Sequence, residues 1–237
     1  MIKKRRLKLP REGGKKLFRY LTPGLSEANI SIGRDKFFDI LRNNDQLIKP
    51  KKNYVRTTNS RHRFRKYPNL IKELNITEPN QVWVSDITYI KLSRGHCYMA
   101  IITDAYSKKI VGYDISDTLE LAGCLRALKL ALRQLPPGHK LIHHSDRGVQ
   151  YCSYEYVKQL EKNVIKISMT EENHCCENAI AERVNGILKD EFFLDQCFLS
   201  TRQARKVGTS AVYLYNNDRL HLSLNYKTPN MVHKNVA

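Results

Sequence analysis

Long apolar runs are missing from this sequence. None approaches the roughly 18 residues that mark a membrane-crossing helix, so neither a helical membrane protein nor a membrane partner is expected. The basic start, Met1 to Arg11, has no apolar stretch behind it and does not read as a secretory signal. Cysteine is sparse and badly spaced for a framework. Cys97, Cys124, Cys152, Cys175, Cys176 and Cys197 form no C-x-x-C pair, which excludes a disulfide-stapled miniature domain and the common zinc modules. They are expected to be reduced thiols in a cytoplasm. Internal repeats and low-complexity tracts are also absent. What remains is 237 residues with 41% hydrophobic and 27% charged side chains. That composition belongs to a globular chain able to bury a sizeable core, as one large domain or one ordinary domain with an appendage.

Acidic residues are also scarce, and their scarcity is local. The whole chain has 41 Lys+Arg against 23 Asp+Glu, and residues 1–80 alone hold 21 against 7. The remaining residues are nearly balanced. A block of positive charge beside a balanced globular region is the footprint of a polyanion binder. No basic helix with a bulky apolar face stands out to favour a membrane surface, so nucleic acid is the expected partner. A solvated basic tail that only aids solubility is the plainer alternative.

The chain divides into three parts. Residues 1–48 carry two short helical patterns. One runs from Gly14 to Leu21 and is stopped by Thr22-Pro23-Gly24; the other runs from Gly33 to Arg42 with Ser31 as its cap. Two helices and a turn suit a helix-turn-helix or a plain helical hairpin. Residues 49–75 form a basic linker in which Lys51, Lys52, Arg61, Arg63 and Arg65 alternate with Tyr54, Phe64 and Tyr67. Such a segment can follow a phosphate backbone, or simply be flexible. From residue 76 the texture becomes that of a folded core. Strands are expected at Val82–Leu92, Cys97–Thr103 and Lys109–Ile115, with a tight turn over Asp104-Ala105-Tyr106-Ser107 between the last two. Then come a helix at Leu119–Leu135, a strand at Lys140–His144, a helix at Tyr154–Lys162, a strand at Val164–Met169, and helices at Asn178–Phe193 and Thr201–Asn216. Three antiparallel strands followed by alternating helices and strands give an α/β fold: a mixed sheet flanked by helices.

Three carboxylates stand out. Asp86 lies inside the apolar strand Val82-Trp83-Val84-Ser85-Asp86-Ile87-Thr88-Tyr89-Ile90. A charge there is costly unless it is paired, binds a metal, or lies on an edge strand facing water. Asp146 follows Leu141-Ile142-His143-His144-Ser145 at the carboxyl end of a strand, where α/β sheets gather ligands, although Ser145-Asp146-Arg147-Gly148 is also plain turn chemistry. Glu182 shares a helical stripe with Asn178, Asn185 and Lys189, a pattern that ordinary solvated faces also show. Together, two strand aspartates and a helix glutamate can converge. An oxygen-only ligand set suits a hard cation such as Mg²⁺ or Mn²⁺, and two such ions could serve the attacking and leaving oxygens of a phosphodiester.

Asp146 and Glu182 are separated by 35 residues. That spacing, with Asp86 upstream, resembles the Asp-Asp-35-Glu signature of retroviral integrases and bacterial transposases. The surrounding words are more specific. Trp83-Val84-Ser85-Asp86-Ile87-Thr88-Tyr89-Ile90 resembles the family's first-aspartate strand, and His144-Ser145-Asp146-Arg147-Gly148-Val149-Gln150-Tyr151 its second. Glu177-Asn178-Ala179-Ile180-Ala181-Glu182, followed by Leu188-Lys189-Asp190-Glu191, resembles its glutamate helix. Tyr215-Asn216-Asn217-Asp218-Arg219-Leu220-His221-Leu222-Ser223-Leu224 resembles its closing motif. These words lie in order and cover residues 81–230. The closest likeness is to the second-frame product of two-frame insertion sequences. Two features depart from that pattern. Arg183-Val184-Asn185 follow the glutamate where the family places a small polar residue and two aromatics, and the N-terminal part is short. No His-His-Cys-Cys zinc module is visible, because His174-Cys175-Cys176 is too compact to be one.

The resemblance implies a ribonuclease H-like fold and metal-dependent cleavage and strand transfer of transposon DNA. It implies Asp86, Asp146 and Glu182 as catalytic metal ligands. Expected partners are terminal-repeat and target DNA, further copies of this chain on that DNA, and an upstream-frame protein. Expected DNA contacts are Asn178, Asn185 and Lys189 beside the glutamate, Arg219 and His221 in the closing motif, and the five linker cations. A DNA-binding remnant without catalysis, and a plain nuclease of the same fold, are the rival readings. Metal-dependent joining of DNA ends separates the first reading from both.

Overall fold

The computed structural model describes residues 1–48, 63–135, 138–171 and 178–234. Five strands form one sheet in the order β3-β2-β1-β4-β5. The meander β1 (Val82–Lys91), β2 (His96–Asp104) and β3 (Ile110–Ser116) is antiparallel. The short strands β4 (Ile142–Ser145) and β5 (Lys166–Met169) run parallel to β1 and to each other. β1 is thus a central strand of the sheet, and Asp86 does not lie on an edge strand.

Period-two alternation sends successive β2 residues to opposite layers. Ala100 and Ile102 face one layer with Trp83 and Val111, beneath α4 (Leu121–Leu132), α5 (Val149–Cys152) and α6 (Tyr154–Lys162). Met99 and Ile101 face the other with Ile90 and Ile115, beneath α7 (Ala179–Phe192) and α8 (Thr201–Asn217). α4 rides so close to β3 that a Cβ at Gly112 would stand 2.2 Å from the Ala127 carbonyl oxygen, so only glycine fits there. Serines start two helices: Ser153 Oγ accepts from Tyr156 N, and Ser200 Oγ from Gln203 N. The turn between β2 and β3 is fixed by Asp104, whose carboxylate accepts from Ser107 N and Oγ and from Asn80 N. A 3₁₀ turn (Leu222–Leu224) and α9 (Pro229–Lys234) are the last elements among the described residues.

The N-terminal part departs from expectation in four ways. It has three helices among the described residues: α1 (Ile2–Lys8), α2 (Gly14–Glu27) and α3 (Arg34–Asn43). α2 runs through Thr22-Pro23-Gly24 instead of stopping there. Its stripe Leu17, Leu21 and Leu25 packs on Phe37 and Leu41 of α3, and that burial outweighs the hydrogen bond lost at Pro23. Ser31 is not the cap of α3; Gly33 occupies that position without a side-chain bond. Finally, the expected boundary near residue 75 is not a break in packing. Leu9 is buried in the layer beneath α7 and α8, and Tyr67, Ile71 and Leu74 pack on the sheet. Pro68 O accepts from Met169 N, and Ser168 Oγ from Leu70 N.

Candidate active site

The register of the sheet brings the two aspartates together. β1 and β4 pair in parallel up to Ser85 opposite Ser145. Asp86 and Asp146 each follow immediately, so their backbones stand side by side about one strand spacing, ~4.8 Å, apart. Both preceding serines are fully buried. Past this point β4 ends and the chain turns at Gly148, whose N–H donates to Asp146 Oδ1 at 3.0 Å. A Cβ at Gly148 would lie 2.9 Å from that oxygen, so the turn leaves no room for a side chain.

α7 brings the third carboxylate over the same point. Asn178 Nδ2 donates to Ser85 O at 3.1 Å, and Asn185 Nδ2 donates to Asp86 Oδ2 at 2.6 Å. These bonds, about two turns apart, lay one face of α7 along β1. Glu182 lies between them on that face, with its side chain exposed. The Asp86 carboxyl is pushed up to about 7, by burial first and then by the charges of Asp146 and Glu182; hydrogen bonds from Ile87 N and Asn185 work the other way. Lys189, half-buried one turn further on, feels Asp86, although burial holds its pKa below the ordinary lysine value. The polar stripe of α7 therefore faces the sheet carboxylates.

Among the described residues, no three acidic, histidine or cysteine side chains are already drawn in to metal-ligand spacing. The donor set nevertheless fits a hard divalent cation. It is all carboxylate oxygen, it has surplus negative charge, and one member is driven toward its protonated form by burial first and then by the charges of its neighbours.

A buried polar layer beneath the aspartates was not singled out from the sequence. Ser85 Oγ and Tyr156 Oη both reach His143 Nε2, at 2.7 and 2.9 Å, and His144 Nδ1 lies 2.9 Å from Ser168 Oγ. Burial drives His143 down to about 3, so it is a neutral strut between β1, β4 and α6. The repeated Ser-Asp dipeptides at 85–86 and 145–146 were the available signal: a small buried residue before each carboxylate lets the strands close up.

Several expected DNA contacts lie elsewhere. Asn178 and Asn185 are buried and hold β1, so they position the site and do not present themselves to a duplex. Arg219 is 3% exposed and its guanidinium forks onto both oxygens of Glu191 at 2.9 and 2.6 Å. Lys16 holds the same carboxylate from α2. His221 is 6% exposed. Both are drawn into the protein, which the spacing of the closing motif did not reveal because it carries no information about burial. Arg63 and Arg65 are exposed, with Arg65 over the Tyr67 ring. Lys51, Lys52, Arg61 and the His174-Cys175-Cys176 run lie outside the described residues.

A mixed five-stranded sheet with one acid within the central strand, one just past the end of its parallel neighbour and one on a crossing helix defines an integrase catalytic core of ribonuclease H-like fold. Solved structures share it. The HTLV-2 integrase catalytic core domain, solved in complex with magnesium, matches with a TM-score of 0.53 at 21% identity, over 66% of this chain and 97% of that one. A chain in the structure of the simian T-cell lymphotropic virus intasome in complex with PP2A regulatory subunit B56 gamma matches with a TM-score of 0.57 at 16% identity, over 94% of this chain and 74% of that one. Two integrase core domain models match residues 76–175 and 163–229. A 31 kDa protein of insertion element IS600 from Shigella sonnei is 38% identical over 89% of this chain and 78% of its own length. The transposase of IS904 from Lactococcus lactis is 32% identical over 72% of each. The IS629 transposase from Shigella sonnei is 31% identical over 74% of this chain, which spans 59% of it. The chain belongs to the integrase-core transposases of insertion sequences, a family of polynucleotidyl transferases. No helix among the described residues is long and apolar enough to cross a membrane.

Proposed function

We propose that this chain cleaves and joins the DNA ends of its own insertion sequence, with Asp86, Asp146 and Glu182 as the ligands of two Mg²⁺ or Mn²⁺ ions. One observation carries the reading: parallel register sets Asp86 beside Asp146, and two asparagine bonds hold the Glu182 helix against the same strand. Bound divalent metal supplies Lewis acidity for both the attacking and the leaving oxygen. The chain's own residues do the rest. Asn185 fixes the rotamer of Asp86, Gly148 N–H orients Asp146, and Lys189 offers a cation about two turns from Glu182, ~10 Å along the axis, the reach of a neighbouring phosphate. In each step one P–O bond forms and one breaks in line. Water attacks first and the freed DNA 3′-hydroxyl second, with no protein–DNA covalent bond. Lys51, Lys52, Arg61, Arg63 and Arg65 contact phosphates. Assembly of several copies on DNA, work beside an upstream-frame protein and residence on the nucleoid belong to the same reading.

The test is Asp86→Asn, Asp146→Asn and Glu182→Gln, assayed for end cleavage, joining and DNA binding. Each swap keeps shape and removes one ligand charge. Each is expected to abolish both chemical steps and to leave binding within about threefold, since none removes a cation that contacts phosphate. Near-parent turnover in any variant would strike that residue from the ligand set. Cleavage without joining would favour a nuclease; binding without either would favour a DNA-occupying remnant.

A further inference from the structure

Three elements meet on Ser85, the residue that precedes Asp86 on β1. From α7, Asn178 Nδ2 donates to its carbonyl oxygen at 3.1 Å. From β4, His143 Nε2 lies 2.7 Å from its hydroxyl, and that same nitrogen lies 2.9 Å from Tyr156 Oη of α6. Ser85, His143 and Tyr156 are all fully buried. A single imidazole nitrogen thus ties β1, β4 and α6 together directly behind the two aspartates.

The position of this tie matters more than its strength. β4 has four residues, and its ladder with β1 ends at Ser85 opposite Ser145. Past that rung no strand pairing joins Asp86 to Asp146, so their separation is inherited from it. A hydrogen bond confines its two heavy atoms to a window of about 0.5 Å and has a direction; apolar contact is non-directional. The ring itself lies against Tyr151 and Tyr156, in a layer that also holds Trp83 and Leu160. An apolar side chain could fill that space, so the polar tie is not needed to fill it. Because burial keeps His143 neutral, the tie also brings no positive charge to oppose a cation at the carboxylates.

We propose that His143 is a positioning residue for the metal site: by holding Ser85 to β4 and α6 it fixes the separation of Asp86 and Asp146, and with it the affinity of the site for divalent metal. The inference rests on the transposase reading, in which both aspartates are ligands, and assigns within it a residue that touches neither metal nor DNA. Asn185 sets the rotamer of Asp86; His143 sets where the backbone carries it. Loss of a group that orients ligands from behind weakens metal binding roughly 10–100-fold.

The probe is Mn²⁺ alone, titrated into the full chain without DNA and read as loss of the free-ion paramagnetic resonance signal. His143→Leu should bind Mn²⁺ at least about tenfold more weakly than the parent, with its circular dichroism unchanged. In end cleavage it should lower kcat and leave the KM for DNA alone. His143→Gln carries an amide nitrogen at about the depth of Nε2, so it should recover most of the lost affinity; a merely space-filling role would not separate leucine from glutamine. Ser85→Ala cuts the tie from its other end by removing one oxygen, and should weaken Mn²⁺ in the same way even if His143→Leu does not fold. Parent-like Mn²⁺ affinity in a folded His143→Leu or in Ser85→Ala, or equal loss in His143→Leu and His143→Gln, would overturn the proposal. If Asp86→Asn and Asp146→Asn lose Mn²⁺ while those variants keep it, only the role of His143 falls. If the aspartate variants bind Mn²⁺ as the parent does, the ligand reading falls, and this inference with it.

Discussion

At the scale of single residues, the site is a set of small groups that permit large ones to approach. Gly148 is the clearest case, because a methyl there would press on Asp146 Oδ1 at 2.9 Å. Gly148→Ala is expected to lower cleavage and joining by at least about tenfold through displacement of one ligand, with DNA binding unchanged; wild-type rates would show that the turn yields freely. Asp86 gives a second expectation, in stability. Its folded pKa stands at about 7 against an ordinary 3.8. A raised carboxyl pKa costs nothing below pH 4, where both states are protonated. The cost grows between pH 4 and 7, as the unfolded chain ionises first, and is complete above 7. Without divalent metal, Asp86→Asn should therefore melt a few degrees higher than the parent at pH 8 and at nearly the same temperature at pH 4. Calorimetry at the two pH values decides it, and a variant that melts lower at pH 8 would mean Asp86 is stabilised by its neighbours. The sequence made this carboxylate conspicuous, because an acid in an apolar strand asks for an explanation. It did not make Asn185 conspicuous as its partner, because an asparagine on a helix stripe looks the same whether it meets solvent or a buried oxygen.

At the scale of elements, what was legible followed periodicity. α6 begins and ends where its capping serine and apolar spacing place it, and the strands of the meander fall within a residue or so of their β-branched runs. What was illegible depended on partners far along the chain. Pro23 looks like a stop until Leu25 is seen to pack beside Phe37. Arg219 looks like a phosphate contact until Glu191 is seen 2.6 Å away. α1 and α9, at 7 and 6 residues, are too short for a periodic signal. The Lys16–Glu191–Arg219 cluster joins three elements, α2, the last turn of α7 and the segment after α8. Removing its acid leaves two buried cations facing each other. Glu191→Ala should thus cost about 3–5 kcal/mol, read as a lower urea midpoint. Lys16→Met with Glu191→Leu and Arg219→Met should recover much of that loss. A silent Glu191→Ala would mean the cluster is wetter than its burial implies.

At the scale of the molecule, the charge asymmetry and the packing pull apart what composition alone groups together. The first 80 residues hold most of the surplus positive charge, yet some of that charge is structural. Arg5 is buried on Glu12, and Lys16 on Glu191. Deleting residues 1–75 would remove Leu9, Tyr67 and Leu74 from the core and take Lys16 from Glu191, so a truncated chain would report lost stability along with lost DNA contacts. Neutralising exposed cations separates the two. Lys51, Lys52, Arg61, Arg63 and Arg65 are the set to change together to glutamine; of these, Arg63 and Arg65 are exposed. If all five touch phosphates, the slope of log affinity against log salt should fall by about 4.5, at about 0.9 per contact, while thermal stability stays within experimental error. A slope that fell by one or less, with the fold intact, would mean that the linker charge is solvated and that DNA is held by other parts of the chain.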